Sequence, residues 1–231
     1  MREHGTKHGK DLRVALFDVD GTLIRGSSSF AAARFMFRRG MIGPRHMMLG
    51  LWYAMLHGLG LTGYERMYEI SIRVFVGMRV DELLKLSRLC FEERIFSMFL
   101  TGALAAVKEQ RELGREIVLV SAGPRYLIQV IGEWLQADAV ITAGPLLKDD
   151  RVTEVLDGPL CSGEGKVQRA REYLRERDMV LGDCVCYGDS VNDLPLLELA
   201  GQAIAVNPDP RLKRVARSRG WEILCLRKTR R

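Results

Sequence analysis

Asp18 and Asp20 stand one residue apart in Asp18-Val-Asp20-Gly-Thr22, directly after the apolar run Arg13-Val-Ala-Leu-Phe. That run reads as a buried parallel strand, and two carboxylates at its end could share attack and proton transfer at one centre. Three further polar groups occupy comparable positions. Ser121-Ala122-Gly123 ends the run Glu116-Ile-Val-Leu-Val, Lys166 lies at the start of a helical stretch, and Gly188-Asp189-Ser-Val-Asn192-Asp193 follows Cys184-Val-Cys-Tyr. In open α/β sheets, ligands bind beyond the carboxyl ends of the strands. The four clusters can therefore meet in one crevice although they span most of the chain.

Cleavage of a phosphate ester asks for this mixture. It needs a nucleophile in line with the leaving oxygen, positive charge against the phosphoryl oxygens and a proton donor for the leaving alcohol. A carboxylate can attack and form an aspartyl-phosphate, but its charge repels the phosphate, so a cation must lie between them. Mg²⁺ suits an all-oxygen site with one or two carboxylates and a substrate phosphate. Asp18 and Asp189 can supply those carboxylates, and Ser121 and Lys166 can hold the remaining phosphoryl oxygens.

Phe17-Asp-Val-Asp-Gly-Thr-Leu-Ile, Val120-Ser-Ala-Gly, the later Gly165-Lys166 and Tyr187-Gly-Asp-Ser-Val-Asn-Asp-Leu-Pro resemble, in order and in strand context, the four signature motifs of the haloacid-dehalogenase phosphatase superfamily. The helical stretch after the first motif is similar to the cap of the branch that includes phosphoserine phosphatase. The resemblance implies a role for each matching residue. Asp18 would be the nucleophile and a metal ligand. Asp20 would protonate the leaving group, then activate water, and lend its backbone carbonyl to Mg²⁺. Thr22 would steady the loop. Ser121, with the N–H groups of Ala122 and Gly123, would bind phosphate, and Lys166 would screen Asp18 from the phosphoryl group. Asp189 would ligate Mg²⁺, with Asn192 and Asp193 behind it.

One departure bears on the substrate. Phosphoserine phosphatases carry a Glu shortly after the first motif to meet the substrate amine, whereas Ile24-Arg25-Gly26-Ser27-Ser28-Ser29 holds no acid. A phosphomonoester hydrolase of phosphoserine-phosphatase type is the leading expectation. A phosphatase of a lipid-linked head group, or a phosphotransferase with an alcohol in place of water, stays open beside it.

The elements that must position these residues alternate. Strands are expected at 13–18, 116–121, 139–143, 184–188, 203–206 and 222–226, with helices over 102–113, 125–135, 165–177 and 192–199 and a basic helix before the last strand. Leu146 to Leu156 reads as a hairpin around Lys148-Asp149-Asp150. This is the pattern of a doubly wound, Rossmann-like parallel sheet. Helix formers without strand alternation fill 27–99, so that stretch is expected to form an all-helical cap, with 1–26 and 100–231 as the catalytic core. Val19 to Gly26 reads as a polar exit loop.

Composition sets outer limits. With 47% hydrophobic and 28% charged residues over 231 positions, the chain can bury a sizeable core and is neither disordered nor a membrane bundle. The net charge of +6, concentrated in Met1–Lys10 and in the stretch from Arg211 to Arg231, favours anionic partners. A small-molecule or lipid phosphate ester is expected, with peripheral contact to an anionic membrane as an option and no nucleic acid. The apolar run from Met47 to Leu61 is too short to span a bilayer. Its Met and aromatic residues either pack against one another within the cap or, beside Arg34, Arg38, Arg39 and Arg45, rest in a lipid interface. Five cysteines without zinc-type spacing, and a polar N-terminus, point to buried reduced thiols and a cytoplasmic setting.

Overall fold

The computed structural model describes residues 12–58 and 64–226. The basic segments 1–11 and 227–231 and the glycine-rich 59–63, on which part of the charge and interface expectations rest, lie outside the described residues.

Eight strands are described: β1 (Val14–Phe17), β2 (Glu116–Ser121), β3 (Ala139–Thr142), β4 (Pro145–Lys148), β5 (Arg151–Leu156), β6 (Cys184–Gly188), β7 (Gln202–Val206) and β8 (Glu222–Leu224). Six of them make one sheet in the order β3-β2-β1-β6-β7-β8, and every pairing in it is parallel. The order reverses at β1, so the crevice between the ends of β1 and β6 is the switch point where such sheets hold ligands.

Side-chain alternation sorts the sheet into two cores. Ala15, Phe17, Ile117, Leu119, Val185 and Tyr187 face one side, with Phe17 and Tyr187 stacked at 4.2 Å. Val14, Leu16, Val118, Val120, Cys184 and Cys186 face the other. Both faces are covered, which is why β1 reads as an unbroken apolar run rather than an alternating one. Helices α1 (Ser28–Arg38), α2 (Pro44–Gly58), α3 (Tyr64–Ile72) and α4 (Val80–Cys90) lie between β1 and β2, followed by a π turn (Phe91–Ile95) and a 3-10 turn (Phe96–Met98). The remaining helices are α5 (Thr101–Glu112), α6 (Arg125–Leu135), α7 (Glu164–Arg175), α8 (Leu194–Leu199) and α9 (Pro210–Arg219).

The helical stretch is tied down where it leaves and rejoins the sheet. Arg25 N–H donates to Met98 O (2.8 Å) and Leu100 N–H to Leu23 O (3.0 Å), so its two crossings run side by side. Phe99 rejoins against Trp134 of α6 at 4.6 Å between rings. The β4–β5 hairpin makes a second tie. Gly77 N–H donates to Val152 O and Val80 N–H to Asp150 O. Its turn residues Asp149 and Asp150 take φ of 52° and 58°, the conformation that matches the twist of a two-residue hairpin.

Three sequence expectations change. The stretch Val19 to Gly26 is not a merely polar loop, because Val19, Leu23 and Ile24 are fully buried and plug it into the core. The helical stretch shares part of the sheet's core, since Phe35, Met36, Phe91 and Ile95 join the cluster of Phe17 and Ile117, while Ile72 and Leu83 pack with Tyr126 and Val152 in a smaller cluster apart from it. The side chains of Met48, Leu51, Trp52 and Met55 do not pack away against neighbours but are exposed. Four cysteines are buried as expected and Cys225 is exposed. Burial pushes the thiols of Cys90 and Cys161 up to about 11.

Candidate active site

Asp18 is the first residue after β1, and Lys166 reaches it from the first turn of α7. Lys166 Nζ donates to Asp18 Oδ1 (2.7 Å) and to Asp193 Oδ1 (2.5 Å), and all three side chains are buried. Burial opposes the ammonium charge, but the two carboxylates outweigh it and hold Lys166 protonated, well above its ordinary value.

Asp193 ends the 3-10 turn Val191–Asp193 that follows β6. Its Oδ2 accepts the N–H groups of Asp189 and Ser190 (3.1 Å each) and the Ser190 hydroxyl (3.2 Å). With Lys166 on Oδ1, both of its oxygens are committed. Asp193 therefore braces the loop and the lysine. The Asp189 carboxylate receives no such donors among the described residues.

Carboxylate oxygens of Asp18, Asp189 and Asp193 lie within 4.8 Å of one another. Burial, then the charge of Asp193, pushes Asp189 up to about 7. Burial also raises Asp18, Lys166 pulls it back, and Asp193 and Asp189 push it up again. Repulsion among hard oxygen donors, with one carboxylate left open, is the environment a divalent cation relieves. Asp18 and Asp189 fit that ion, whereas Asp193 is already spent.

The loop carrying Asp20 passes close to Asp189. A Cβ on Gly21 would lie 2.0 Å from Asp189 Oδ2, and φ there is +82°, so only glycine allows the approach. Asp20 itself is held from α1. Ser28 N–H donates to Asp20 Oδ1 (2.8 Å) and the Ser28 hydroxyl to Oδ2 (3.0 Å). Burial raises the Asp20 carboxyl above its ordinary value, and these hydrogen bonds restrain the rise. A carboxyl poised in this way can give a proton and take it back.

Ser121 closes β2, is buried, and accepts the Gly123 N–H through Oγ (3.1 Å). That N–H, expected to face phosphate, is thus bound within its own turn. Gly123 lies against Ser28, since a Cβ there would sit 2.5 Å from Ser28 Oγ. Ser28 therefore joins the Ser121 loop to Asp20.

Two expected residues differ from their expected parts. The Thr22 hydroxyl is buried with no hydrogen-bond partner among the described residues. The loop is steadied by its backbone instead, with Gly21 N–H donating to Ile24 O (2.9 Å) and Gly26 O (3.1 Å). Asn192 is exposed.

The sequence reading missed two residues, Ser28 and Asp209. Asp209 Oδ2 accepts the Val191 N–H (2.8 Å), its own N–H donates to Asp189 O (2.8 Å), and its Oδ1 caps α9 through the N–H groups of Arg211 and Leu212. It anchors the Asp189 loop. The signals were the serine run at the start of α1 and the Asp-Pro pair opening α9, each a helix-start signature rather than a catalytic one.

Comparison with known proteins places this arrangement. The family model described as haloacid dehalogenase-like hydrolase matches residues 15–198. A phosphoserine phosphatase of Mycobacterium tuberculosis is 32% identical over 216 residues, covering 91% of this chain and 70% of that one. A histidinol-phosphatase of Neisseria meningitidis is 26% identical, covering 91% of this chain and 97% of that protein. A crystal structure of a Bordetella pertussis protein of unknown function superposes with a TM-score of 0.85 at 29% identity, covering 93% of this chain and 99% of that one.

Proposed function

The chain belongs to the haloacid dehalogenase-like hydrolase family, and from that membership and the geometry around Lys166 we propose a Mg²⁺-dependent phosphomonoester hydrolase of phosphoserine-phosphatase type that works through an aspartyl-phosphate on Asp18. The observation that carries the reading is the buried clamp Asp18–Lys166–Asp193 beside the open Asp189 carboxylate, at the switch point of the sheet.

Asp18, Asp189 and the backbone carbonyl of Asp20 would hold Mg²⁺, which supplies positive charge against the phosphoryl oxygens. Lys166 fixes Asp18 through Oδ1, which leaves Oδ2 to attack phosphorus. The ester P–O bond breaks as the Asp18–phosphorus bond forms. Asp20 gives its proton to the departing alcohol oxygen, then takes one from the water that attacks the aspartyl-phosphate. Phosphate leaves and Asp18 is restored. Ser121, whose Oγ already accepts the Gly123 N–H, can donate its own proton to a phosphoryl oxygen. Asp193 and Asp209 act by position, keeping Lys166 and the Asp189 loop in place.

Residues 27–99 serve as a cap in this reading, over a core of 1–26 and 100–231. Relatives named for phosphoserine and for histidinol phosphate make a small phosphomonoester the expected substrate class. No Asp or Glu occurs between Asp20 and Glu65. An amine on the substrate would therefore have to be met from elsewhere in the chain. Buried, high-pKa thiols suit a cytoplasmic setting. The test is phosphate release from a panel holding phosphoserine, histidinol phosphate, sugar phosphates and a lysophosphatidate, with Mg²⁺ and with EDTA. Mg²⁺-dependent release from at least one ester is expected. No release from any, or equal release in EDTA, overturns the reading.

A further inference from the structure

The outer face of the first two inserted helices has no part in the site. On α2, Met48, Leu51, Trp52 and Met55 follow the i, i+3, i+4, i+7 spacing of one helix face. They are 69%, 49%, 54% and 48% exposed. The exposed Arg45 lies one turn before Met48 on the same side. On α1, Phe30 and Phe37 are exposed at the same spacing, with the exposed Arg34 and Arg38 between and beside them. The opposite side of α1, carrying Ala31, Phe35 and Met36, is buried.

Charge identifies what this face fits. The acid-free span between Asp20 and Glu65 carries Arg25, Arg34, Arg38, Arg39 and Arg45. Arg39 is paired to Glu93, so Arg34, Arg38 and Arg45 are the ones set beside the apolar stripe. A second copy of the chain packed on these helices would set arginine against arginine, with no carboxylate on α1 or α2 to pair them. Helices that expose Phe (α1) or Trp and Met (α2) beside arginines match an anionic lipid surface, where the rings enter the headgroup region and the guanidinium groups meet lipid phosphates. No helix among the described residues is long and apolar enough to cross a membrane, so the contact is peripheral.

We propose that the exposed face of α1 and α2 docks on anionic phospholipid bilayers. The inference rests on this surface alone and can fail while the phosphatase reading stands, or the reverse.

The experiment is co-sedimentation of the full chain with phosphatidylcholine vesicles, with and without phosphatidylglycerol, at low and high salt. The chain is expected to pellet with the anionic vesicles at low salt and to be released by high salt. Each basic residue near an anionic surface is worth about fivefold in partition. Arg34→Glu/Arg38→Glu/Arg45→Glu is therefore expected to lower the partition by at least about 100-fold, since charge reversal adds repulsion to the loss of three basic residues, and Trp52→Ser/Met55→Ser by about tenfold or more. Both variants change exposed side chains and are expected to melt like the parent. If one melts early, the lipid and salt dependence of the parent decides alone. No pelleting, or equal pelleting with neutral and anionic vesicles, overturns the proposal. Parent-like binding by the Glu variant does so too, because it assigns the affinity to basic segments elsewhere. A concentration-dependent dimer that dissociates in Trp52→Ser/Met55→Ser gives the face to a second copy and overturns the proposal as well.

Discussion

At the carboxyl end of the sheet, Asp18, Lys166, Asp193 and Asp20 are paired by hydrogen bonds while the Asp189 carboxylate is left open; on the outer face of α1 and α2, large apolar side chains meet solvent. Lys166 is shared by Asp18 and Asp193, Asp193 takes three further donors, and Asp20 is held twice by Ser28. Such a network fixes each of these side chains and leaves little room for alternative geometries. Trp52, Met48 and Met55 leave about half or more of their surface to solvent. One region has its chemistry set by pairing. The other is free to change partners without disturbing the first, although α1 contributes Ser28 from its inner side to Asp20 and Phe37 from its outer side to solvent.

The largest effect should fall on the sheet end. Asp18→Asn keeps the size and most hydrogen bonds of the side chain but cannot attack phosphorus. Turnover is expected to drop on the order of 10⁴-fold or more, with circular dichroism unchanged. A folded Asp18→Asn protein that releases phosphate at the parent rate breaks the assignment of the nucleophile.

Asp20→Asn should follow, with a loss on the order of 10³-fold for alkyl phosphates. Esters with good leaving groups need less protonation, so their first step should be slowed far less. Hydrolysis of the aspartyl-phosphate would remain slow, and rapid-quench measurement should show a burst. Equal slowing of the first step for both ester types would remove Asp20 as the acid.

Asp189→Asn sharpens the contrast in another way. It should cost on the order of 10²-fold or more in turnover, yet the metal-free protein should melt a few degrees higher. The reason is that burial and Asp193 work against the Asp189 charge. Added Mg²⁺ should then stabilise the variant less than the parent. A lower melting temperature in the metal-free variant would mean that the carboxylate is held by donors rather than repelled by its neighbours.

The division between the two regions also explains what the sequence makes legible. Asp18, Lys166, Asp189 and Asp193 stand out in the sequence because the chemistry admits few residue types, and because Asp18 and Asp189 directly follow β1 and β6 while Lys166 and Asp193 lie in the helical turns beyond the sheet. The parallel sheet can be read because β1 and β6 are buried on both faces and carry unbroken apolar runs, whereas the strand order comes from the structure. Ser28 and Asp209 are not legible as site residues. They act through hydrogen bonds to neighbours 8 and 18 positions away, and locally each looks like the start of a helix. Nor does the run of Met and aromatic residues in α2 announce its exposure. Helical spacing says which residues share a face, and only the surrounding packing says whether that face is covered. Val19, Leu23 and Ile24 were hidden for the opposite reason, because glycine and polar neighbours disguise a loop whose apolar side chains are fully buried.

Ser28 is where the two regions meet, and its substitution should give the smallest of these effects. Ser28→Ala removes the hydroxyl bond to Asp20 Oδ2 and leaves the backbone N–H on Oδ1. The loss is partial, and turnover of an alkyl phosphate should fall about tenfold, as one charge-assisted hydrogen bond is worth roughly 1.5–3 kcal/mol at most. The sign of the pH effect follows from the same bond. A donor on the carboxylate favours its ionised form and restrains the rise that burial causes. Without that donor the Asp20 pKa goes higher, so the form able to accept a proton from water appears only at higher pH. The ascending limb of the pH–rate profile should move upward in Ser28→Ala and return towards the parent in Ser28→Thr, provided the extra methyl is accepted beside Gly123. A purely structural serine would lower the melting temperature and leave that limb where it is. An unmoved limb with slowed turnover would therefore take Ser28 out of the reaction and make it a packing contact between α1 and the Ser121 loop.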